Sequence, residues 1–424
     1  MKKIVIVGGG ASGMMAAITA AERHPDTKVC ILEHKDSLGK KILSTGNGRC
    51  NFTNEIMNTD CYYSDTPERI ASVLERFGTA DTLRFFRRLG IVEKSRNGYY
   101  YPRSDQASSV AQVMKLRLRE LGVQTHTGVH VDKITRKKSG FFIEMHTKDG
   151  AKEHMEAGWV ILTTGAKAAP VLGSDGSGYD LAKSFGHSLS PVVPALVQLR
   201  VKNHPLAKAA GVRTEATVRI LNDHKLLGQN TGELQITAYG ISGIPVFQVS
   251  RHAAKALYYK KRVRAEIDVL PEFSEQEMIA MLRSGKKEKE KMSVSEFLVG
   301  IFNYKLIPCL LKCAKIPLQI SGREFTDERI REFSHLCKHL TLEIESANGF
   351  DNAQVCAGGV RLTEVDMNTM ESCYCNGLYL AGEILDADGI CGGYNLQWAW
   401  ASGYLAGLNA GSGGDLRASD GRRQ

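Results

Sequence analysis

An α/β fold with a parallel sheet, interrupted by an inserted β-barrel-like domain with a helical cluster, is the architecture predicted for this 424-residue chain. Three features predict it. The chain opens with a strand, a glycine turn and a helix. Two further strands that run into glycine turns stand near the middle and near the end. Between them, from about residue 195, the pattern changes to short alternating strands and amphipathic helices.

In the opening "KKIVIVGGGASGMMAAITAAER", Ile4 to Val7 are four β-branched residues in succession, as in a strand buried on both faces. Gly8, Gly10 and Gly13 then form G-x-G-x-x-G, and an alanine-rich run to Arg23 favours helix. Gly8 permits the sharp turn, Gly10 lets a pyrophosphate reach the backbone, and Gly13 lets helix pack closely on strand. The N–H groups near Ala11 and Ser12 open the helix and face an anion. A second strand, "KVCILE", ends at Glu33, twenty residues after Gly13, where a carboxylate can accept hydrogen bonds from an adenosine ribose. The glycines alone are weak evidence. Their place between strand and helix, with an acidic residue at the right distance, predicts a bound dinucleotide without choosing between FAD and NAD.

"WVILTTGAKA", Trp159 to Ala168, reads as a buried strand with a glycine turn at Thr164 and Gly165. "NGLYLAGEILDADGICGGYNLQWAWASG", Asn376 to Gly403, reads as strand, acidic turn, glycine pair and helix. Between these segments "TEATVRIL", "GELQIT" and "RAEIDVL" are alternating strands, and "GIPVFQVSRHAAKALYY" reads as a helix. "SEQEMIAMLRS", "VSEFLVGIFNYKLIPCLLKCA" and "TDERIREFSHLCKHL" read as helices, Ser274 and Glu277 forming a capping box. "YGISG", Tyr239 to Gly243, reads as a glycine turn that starts a helix. The expected organisation is a dinucleotide-binding part over 1–192, an inserted barrel-like and helical domain over 193–345 that roofs the cofactor and shapes a substrate cavity, a return over 346–412, and a disordered tail over 413–424.

The fingerprint, the mid-chain "TTG" and the late "GLYLAGE" together resemble the glutathione-reductase-like FAD superfamily. The resemblance implies a Rossmann-like FAD-binding domain in which Glu383, beside Gly382, hydrogen-bonds the ribityl chain. It also implies that the helix from near Gly392 points its N-terminus at the flavin pyrimidine ring, where negative charge gathers on reduction. Gly393, Tyr394, Asn395 and Gln397 open that helix and join the candidate contacts. More narrowly, "GNGRCNFTN", "YYYPRSDQAS", "GSGYDLAKSFGH", "YGISG" and "CGGYNLQWAWASG" resemble the YhiN/BaiN-type bacterial flavoproteins over nearly the whole chain. That family implies FAD-dependent oxidoreductase activity. Some members are named aminoacetone oxidases, and the BaiN branch is described as reducing carbon–carbon double bonds of 3-oxo bile-acid intermediates.

In such a fold "KKILSTGNGRCNFTN", Lys40 to Asn54, runs along the cofactor from adenosine toward isoalloxazine. Lys40, Lys41 and Arg49 are then placed to neutralise the pyrophosphate. Gly46 and Gly48 bring backbone amides close to phosphate or ring, and Asn47 and Asn51 satisfy polar groups that become buried. His34, Gln106 and Val131 complete the candidate contacts. Cys50 has no partner cysteine four residues away, which argues against disulfide exchange. It reads as a small residue beside the cofactor, and with Tyr101 and Tyr394 it is a weak catalytic candidate.

Three functions fit this pattern. One is a reductase passing hydride from NAD(P)H through flavin N5 to a conjugated C=C of a 3-oxo steroid-like substrate. Another is an oxidase of a small amine or ketone that uses O₂. The third is an RNA-associated flavoprotein, motivated by a net charge of +9 but without an RNA-binding motif. A second dinucleotide fingerprint is lacking: "GSDGSGYDL" has no preceding strand, so a nicotinamide donor docks transiently. The ten cysteines show no zinc or redox spacing. His335 and His339 lack the acidic neighbour of an HExxH motif and read as a helix face, so no metal is expected. No apolar run reaches the ~18 residues of a membrane span. The expectation is therefore a cytoplasmic enzyme of a small molecule, away from membranes and nucleic acid.

Overall fold

The computed structural model describes residues 2–288 and 290–412. The tail expected over 413–424 lies outside the described residues. The chain forms two compact units, Met1–Val192 with Val355–Gln424, and Val193–Gln354.

The first unit opens with β1 (Lys3–Val7), α1 (Ala11–Arg23) and β2 (Lys28–Glu33). It continues with α2 (Ala107–Glu120), β3 (Gln124–Thr127), β4 (Trp159–Leu162) and α3 (Ser177–Ser184). In the second unit come β5 (Leu199–Val201), β6 (Arg213–Asn222), β7 (Lys225–Ile236), β8 (Gly240–Gly243), α4 (Ile244–Tyr258) and β9 (Val263–Asp268). The helices α5 (Glu275–Glu288) and α6 (Asp327–Lys338) precede its last long strand, β10 (Leu340–Ala347). The first unit resumes with β11 (Leu378–Leu380) and ends in α7 (Tyr394–Asn409). Among the described residues no helix is long and apolar enough to cross a membrane.

The sheet of the first unit has the order β11-β4-β1-β2-β3, and every pairing is parallel. Val5 sits in register with Val160 on one side and Cys30 on the other. Ile4, Val5 and Ile6 are completely buried, which is why the strand is apolar throughout rather than alternating. Each such aliphatic side chain contributes about 1.5–3 kcal/mol on leaving water. Against this sheet α1 and α7 cross on small residues. A Cβ on Gly403 would lie 2.5 Å from Ser12 O, and one on Gly407 would lie 2.3 Å from Ala16 O.

The second unit holds a closed barrel in the order β5-β8-β7-β6-β9-β10, antiparallel at every joint. Val218, Ile220, Ile267 and Leu342 fill its core together with Val246 and Val249 of α4. "YGISG" does lead into a helix, Gly243 being the N-cap of α4, but Gly240–Gly243 is a barrel strand, β8, and not a turn. Its glycines make the barrel closure possible: a Cβ on Gly240 would meet Leu199 O at 2.0 Å, and one on Gly243 would meet Glu233 O at 2.2 Å. The sequence pattern ended the insert at 345, whereas β10 runs to Ala347 and the unit to Gln354. The long helical stretch from Val294 splits into Val294–Phe297, a 3-10 turn and Ile307–Cys313. Pro308 lacks a backbone N–H, so it suits the first turn of the second piece and not the interior of a continuous helix. The capping box at α5 is present, with Ser274 N donating to Glu277 Oε2 (2.7 Å) and Glu277 N donating to Ser274 Oγ (3.2 Å).

Candidate cofactor site

The glycine turn after β1 is held from three sides. Gly8 adopts φ +104° and donates its N–H to Leu32 O at 2.8 Å. Thr163 Oγ1, at the end of β4, lies 3.0 Å from Val7 O and 2.8 Å from Gly8 O. A Cβ on Gly13 would fall 1.9 Å from Gly8 O, so α1 can begin this close to the strand only without one. Gly10, by contrast, has nothing within 4 Å of the place a Cβ would occupy. Ala11 and Ser12 open α1 behind it, Ser12 buried.

Glu33 is buried at the end of β2. Its Oε2 accepts from Gly9 N (2.7 Å) and its Oε1 from Lys35 N (2.8 Å), so the carboxylate ties β2 to the glycine turn. A carboxylate has about four acceptor positions, which leaves capacity for a ligand hydroxyl. His34 Nδ1 stands 3.4 Å from Glu33 Oε1, and burial holds His34 below the usual imidazole pKa although Glu33 and Asp175 oppose that shift.

The polar stretch after α1 and β2 forms a short helix, Lys40–Ser44, and a 3-10 turn, Thr45–Gly48. Gly46, Asn47, Gly48 and Cys50 all have left-handed φ, between 54° and 82°. The turn is thus exposed and sharply folded, with Gly46, Asn47, Gly48 and Arg49 at the surface and nothing within 4 Å of a Cβ on Gly48. Cys50 and Asn51 turn inward; Asn51 Oδ1 is buried without a hydrogen-bond partner, 2.9 Å from where a Cβ on Gly393 would sit.

Lys40 and Lys41 do not stand free for a phosphate. Lys40 Nζ lies 2.6 Å from Asp36 Oδ1, four residues back. Lys41 Nζ donates to Glu383 Oε2 (2.6 Å) and Ala168 O (3.2 Å), while Glu383 Oε1 accepts from Cys356 N (3.0 Å). The residues after Glu33, the "TTG" turn and "GLYLAGE" are therefore joined at one point. Gly382, at φ +81°, is packed on Ser12, whose Oγ a Cβ would meet at 2.4 Å. Thr164 is pressed by α3, since a Cβ on Gly178 would lie 1.8 Å from its Oγ1; Gly165 makes the turn at φ +73°.

Other expected contacts go elsewhere. Gln397 is completely buried; its Oε1 accepts from Thr53 Oγ1 (2.7 Å) and Thr82 Oγ1 (2.8 Å), and its Nε2 donates to Phe77 O (2.9 Å). It ties three segments together and has no free face. Asn395 likewise closes on Gly389, accepting from its N and donating to its O, both at 2.8 Å. Gln106 is an exposed N-cap of α2 without a side-chain capping bond, and Val131 is a buried strand residue opposite Met145.

Among the catalytic candidates, Cys50 is completely buried and its thiol is pushed up to about 12 by that burial. None of the ten cysteines is in a disulfide. Tyr394 is buried, with Tyr62 OH donating to its carbonyl at 2.9 Å, and burial with Cys61 beside it raises its phenol. Tyr101 is half-buried near Gly46, and its phenol is also raised, chiefly by burial and by Tyr99. Sequence reading passed over Tyr179 and Asp386. Both are buried, each with an oxygen lacking a hydrogen-bond partner, and burial followed by Cys356, Glu383 and Asp386 raises the Tyr179 phenol. Only the quoted "GSGYDL" and "EILDADG" carried them, and nothing local marked either as buried.

An open glycine at the start of α1, an acceptor at the end of β2, an exposed left-handed turn and the orphaned Asn51 Oδ1 suit an extended dinucleotide. The family profile described as "HI0933-like protein Rossmann domain" matches residues 2–409. The chain is 53% identical to the 3-dehydro-bile acid delta(4,6)-reductase of Clostridium scindens, over 97% of this chain and 99% of that protein. It is 26% identical to the ribosomal RNA dihydrouridine synthase of Haemophilus influenzae, over 96% and 97%, and to that of Escherichia coli, over 94% and 96%. Its fold is similar to a quinol-fumarate reductase with menaquinol molecules, at TM-score 0.50 and 13% identity over 100% of this chain and 73% of that one. This chain belongs to the HI0933-like Rossmann family.

Proposed function

We propose that this enzyme uses NAD(P)H to reduce a carbon–carbon double bond conjugated to a carbonyl, in a 3-oxo steroid-like bile acid. The observation that carries this reading is the 53% identity, over nearly the whole of both chains, to a reductase of that name. The N–H groups at Gly10, Ala11 and Ser12 would hold the pyrophosphate, Glu33 the adenosine ribose, and Glu383 the ribityl chain. The amides of Gly46, Gly48 and Gly393, with Asn51, would meet the ring. FAD bound there supplies hydride transfer between donor and substrate.

The residues of the chain supply position and a proton. Reduction of an enone leaves the α-carbon in need of a proton. We assign the donor to Tyr101 Oη, because this phenol is half-buried, held protonated at neutral pH and flanked by the exposed turn at Gly46 and by Arg49. Tyr394 and Cys50 are too enclosed to reach a substrate carbon.

A second reading is favoured by the two relatives named ribosomal RNA dihydrouridine synthases. The C5=C6 bond of uracil is also conjugated to a carbonyl, so the same chemistry would serve. On the second unit Tyr258 and Tyr259 are 57% and 58% exposed, beside the exposed Lys260, Lys261 and Arg262, a composition that suits stacking and phosphate contact. The deciding experiment is anaerobic. Enzyme reduced with NAD(P)H is mixed with a 3-oxo-Δ4 bile acid, with an unmodified ribosomal RNA transcript, or with air. Rapid reoxidation by the bile acid is expected. Reoxidation by RNA alone would install the second reading, and turnover with air alone, with peroxide formed, would make the enzyme an oxidase.

A further inference from the structure

His335 and His339 were set aside in the sequence for want of an acidic neighbour. The fold supplies one from a distance. Glu275, sixty residues before His335, stands in the first turn of α5, and its carboxylate reaches the last turn of α6. We propose that Glu275, His335 and His339 form a site for a divalent transition-metal ion of the Zn²⁺ kind, independent of the redox centre.

The geometry is that of a partly assembled ligand set. His335 Nδ1 lies 3.4 Å from both Glu275 oxygens, and His339 Nε2 lies 3.9 Å from Glu275 Oε2. One ligand atom from each of the three residues lies within 4.8 Å of the others. Ligand atoms around a tetrahedral Zn²⁺ with bonds of about 2.0–2.1 Å stand roughly 3.3–3.4 Å apart. Closing the set therefore needs only small side-chain rotations, which half-exposed side chains at a helix end can make. The two imidazoles are one helical turn apart, with ring centroids 4.7 Å from each other.

A further carboxylate supports one of the two imidazoles from behind. His339 Nδ1 lies 3.3 Å from Glu266 Oε1 on β9, an oxygen that also accepts from Arg219 Nη1 at 3.1 Å. A carboxylate at Nδ1 fixes the proton there and leaves Nε2 to coordinate, the usual outer support of a ligating histidine. Glu266 is thus a positioning residue and Glu275 a ligand. Two imidazoles, one carboxylate and an open fourth position for water select borderline ions over Ca²⁺ or Mg²⁺. The site would join the start of α5 to the end of α6 and, through His339, to the barrel strand β9.

The test is a titration of chelator-treated, FAD-loaded protein with Zn²⁺ against a chromophoric competitor, repeated with Co²⁺ to read the d–d bands of the bound ion. One equivalent should bind with micromolar or tighter affinity. His335→Ala and His339→Ala should each weaken binding at least tenfold, and Glu266→Gln by about tenfold as a positioning residue. His154→Ala, at an exposed histidine of the first unit, should leave the affinity unchanged. The metal-free melting profiles of all the variants, the His335→Ala/His339→Ala double variant included, serve to separate lost ligands from lost folding. No stoichiometric binding, or binding unchanged in the His335→Ala/His339→Ala double variant, would overturn the proposal.

Discussion

The first two turns of α1 use small residues in opposite ways. At its N-terminus, Gly10 has nothing within 4 Å of the place a Cβ would take. Two and six residues on, Ser12 and Ala16 are crossed by α7 so closely that a Cβ on Gly403 or Gly407 would strike their carbonyl oxygens. In the sequence both regions are runs of glycine, alanine and serine. In the structure one is space kept open and the other is space already filled. A glycine with an open flank beside an α-helix N-terminus points to a ligand; a glycine with a backbone atom at 2.3 Å points to packing.

Gly407→Leu attacks the filled space and should have the largest effect. The helix-propensity gain of about 0.8–1 kcal/mol cannot offset a side chain driven into backbone, where overpacking costs about 1–3 kcal/mol for far smaller additions. Loss of soluble protein, or a fall of many degrees in the first thermal transition, is expected. Gly10→Ala attacks the open space. The fold should hold to within about 0.5 kcal/mol, as for a surface change, while FAD affinity drops at least tenfold, read from flavin released in a dialysis series. If Gly10→Ala instead melts the protein and keeps its flavin, the contrast between the open and the filled space is wrong.

Glu33→Gln sharpens the comparison at the edge of the open region. The carboxylate now accepts from Gly9 N and Lys35 N. An amide there would set an NH₂ against one of these donors and remove the charge. Charge-assisted hydrogen bonds are worth about 1.5–3 kcal/mol, so a tenfold or greater loss of FAD affinity is expected, with a smaller fall in thermal stability.

The second unit offers a close approach that titrates. The His252 ring lies against Gly228 of β7, where a Cβ would meet its Cδ2 at 2.5 Å. Burial first, then Arg251 and Lys255, lowers His252 to about 4. Because the folded pKa lies below the unfolded value of about 6.5, the unfolded chain takes up the proton first as pH falls. The associated stability is complete above about pH 6.5 and is lost progressively toward pH 4. Allowing for partial solvent screening, that loss is about 2 kcal/mol. His252→Phe should flatten the stability profile between those limits in a urea series. An unchanged acid slope would assign the slope to other groups.

What the sequence disclosed follows the range of the interactions involved. The G-x-G-x-x-G turn, Glu33 and the strand before them were legible because their constraints act within thirty residues. The barrel was legible from alternation, and its closure was not: "YGISG" looks like a turn unless Leu199 and Glu233 are known to press on it. Gln397 looked like a ligand residue because it follows a glycine pair at a helix start. Only the fold shows its amide bound to Thr53, Thr82 and Phe77, more than 300 residues away. Glu383 stands out in "GLYLAGE", but its pairing with Lys41 was hidden by 342 residues of chain.

The smallest effect is expected from Cys50→Ser, which tests whether the folded turn conceals a nucleophile. Cys50 sits at φ +59° directly after the exposed glycines, the place where a reactive thiol would be sought. Its environment opposes that role. The side chain is completely buried, and burial pushes the thiol up to about 12 against a weaker opposing hydrogen bond with Thr45. At neutral pH the attacking thiolate is then essentially absent. Serine is close in size and can keep a hydrogen bond to Thr45, at a cost of about 1 kcal/mol for burying a more polar group. Turnover with flavin bound should therefore remain within about threefold of the parent, far less than the 10²–10⁴-fold typical of losing an acid–base group. A collapse of turnover in a variant that is folded and still yellow would place the thiol in the chemistry and remove Tyr101 as a sufficient proton source.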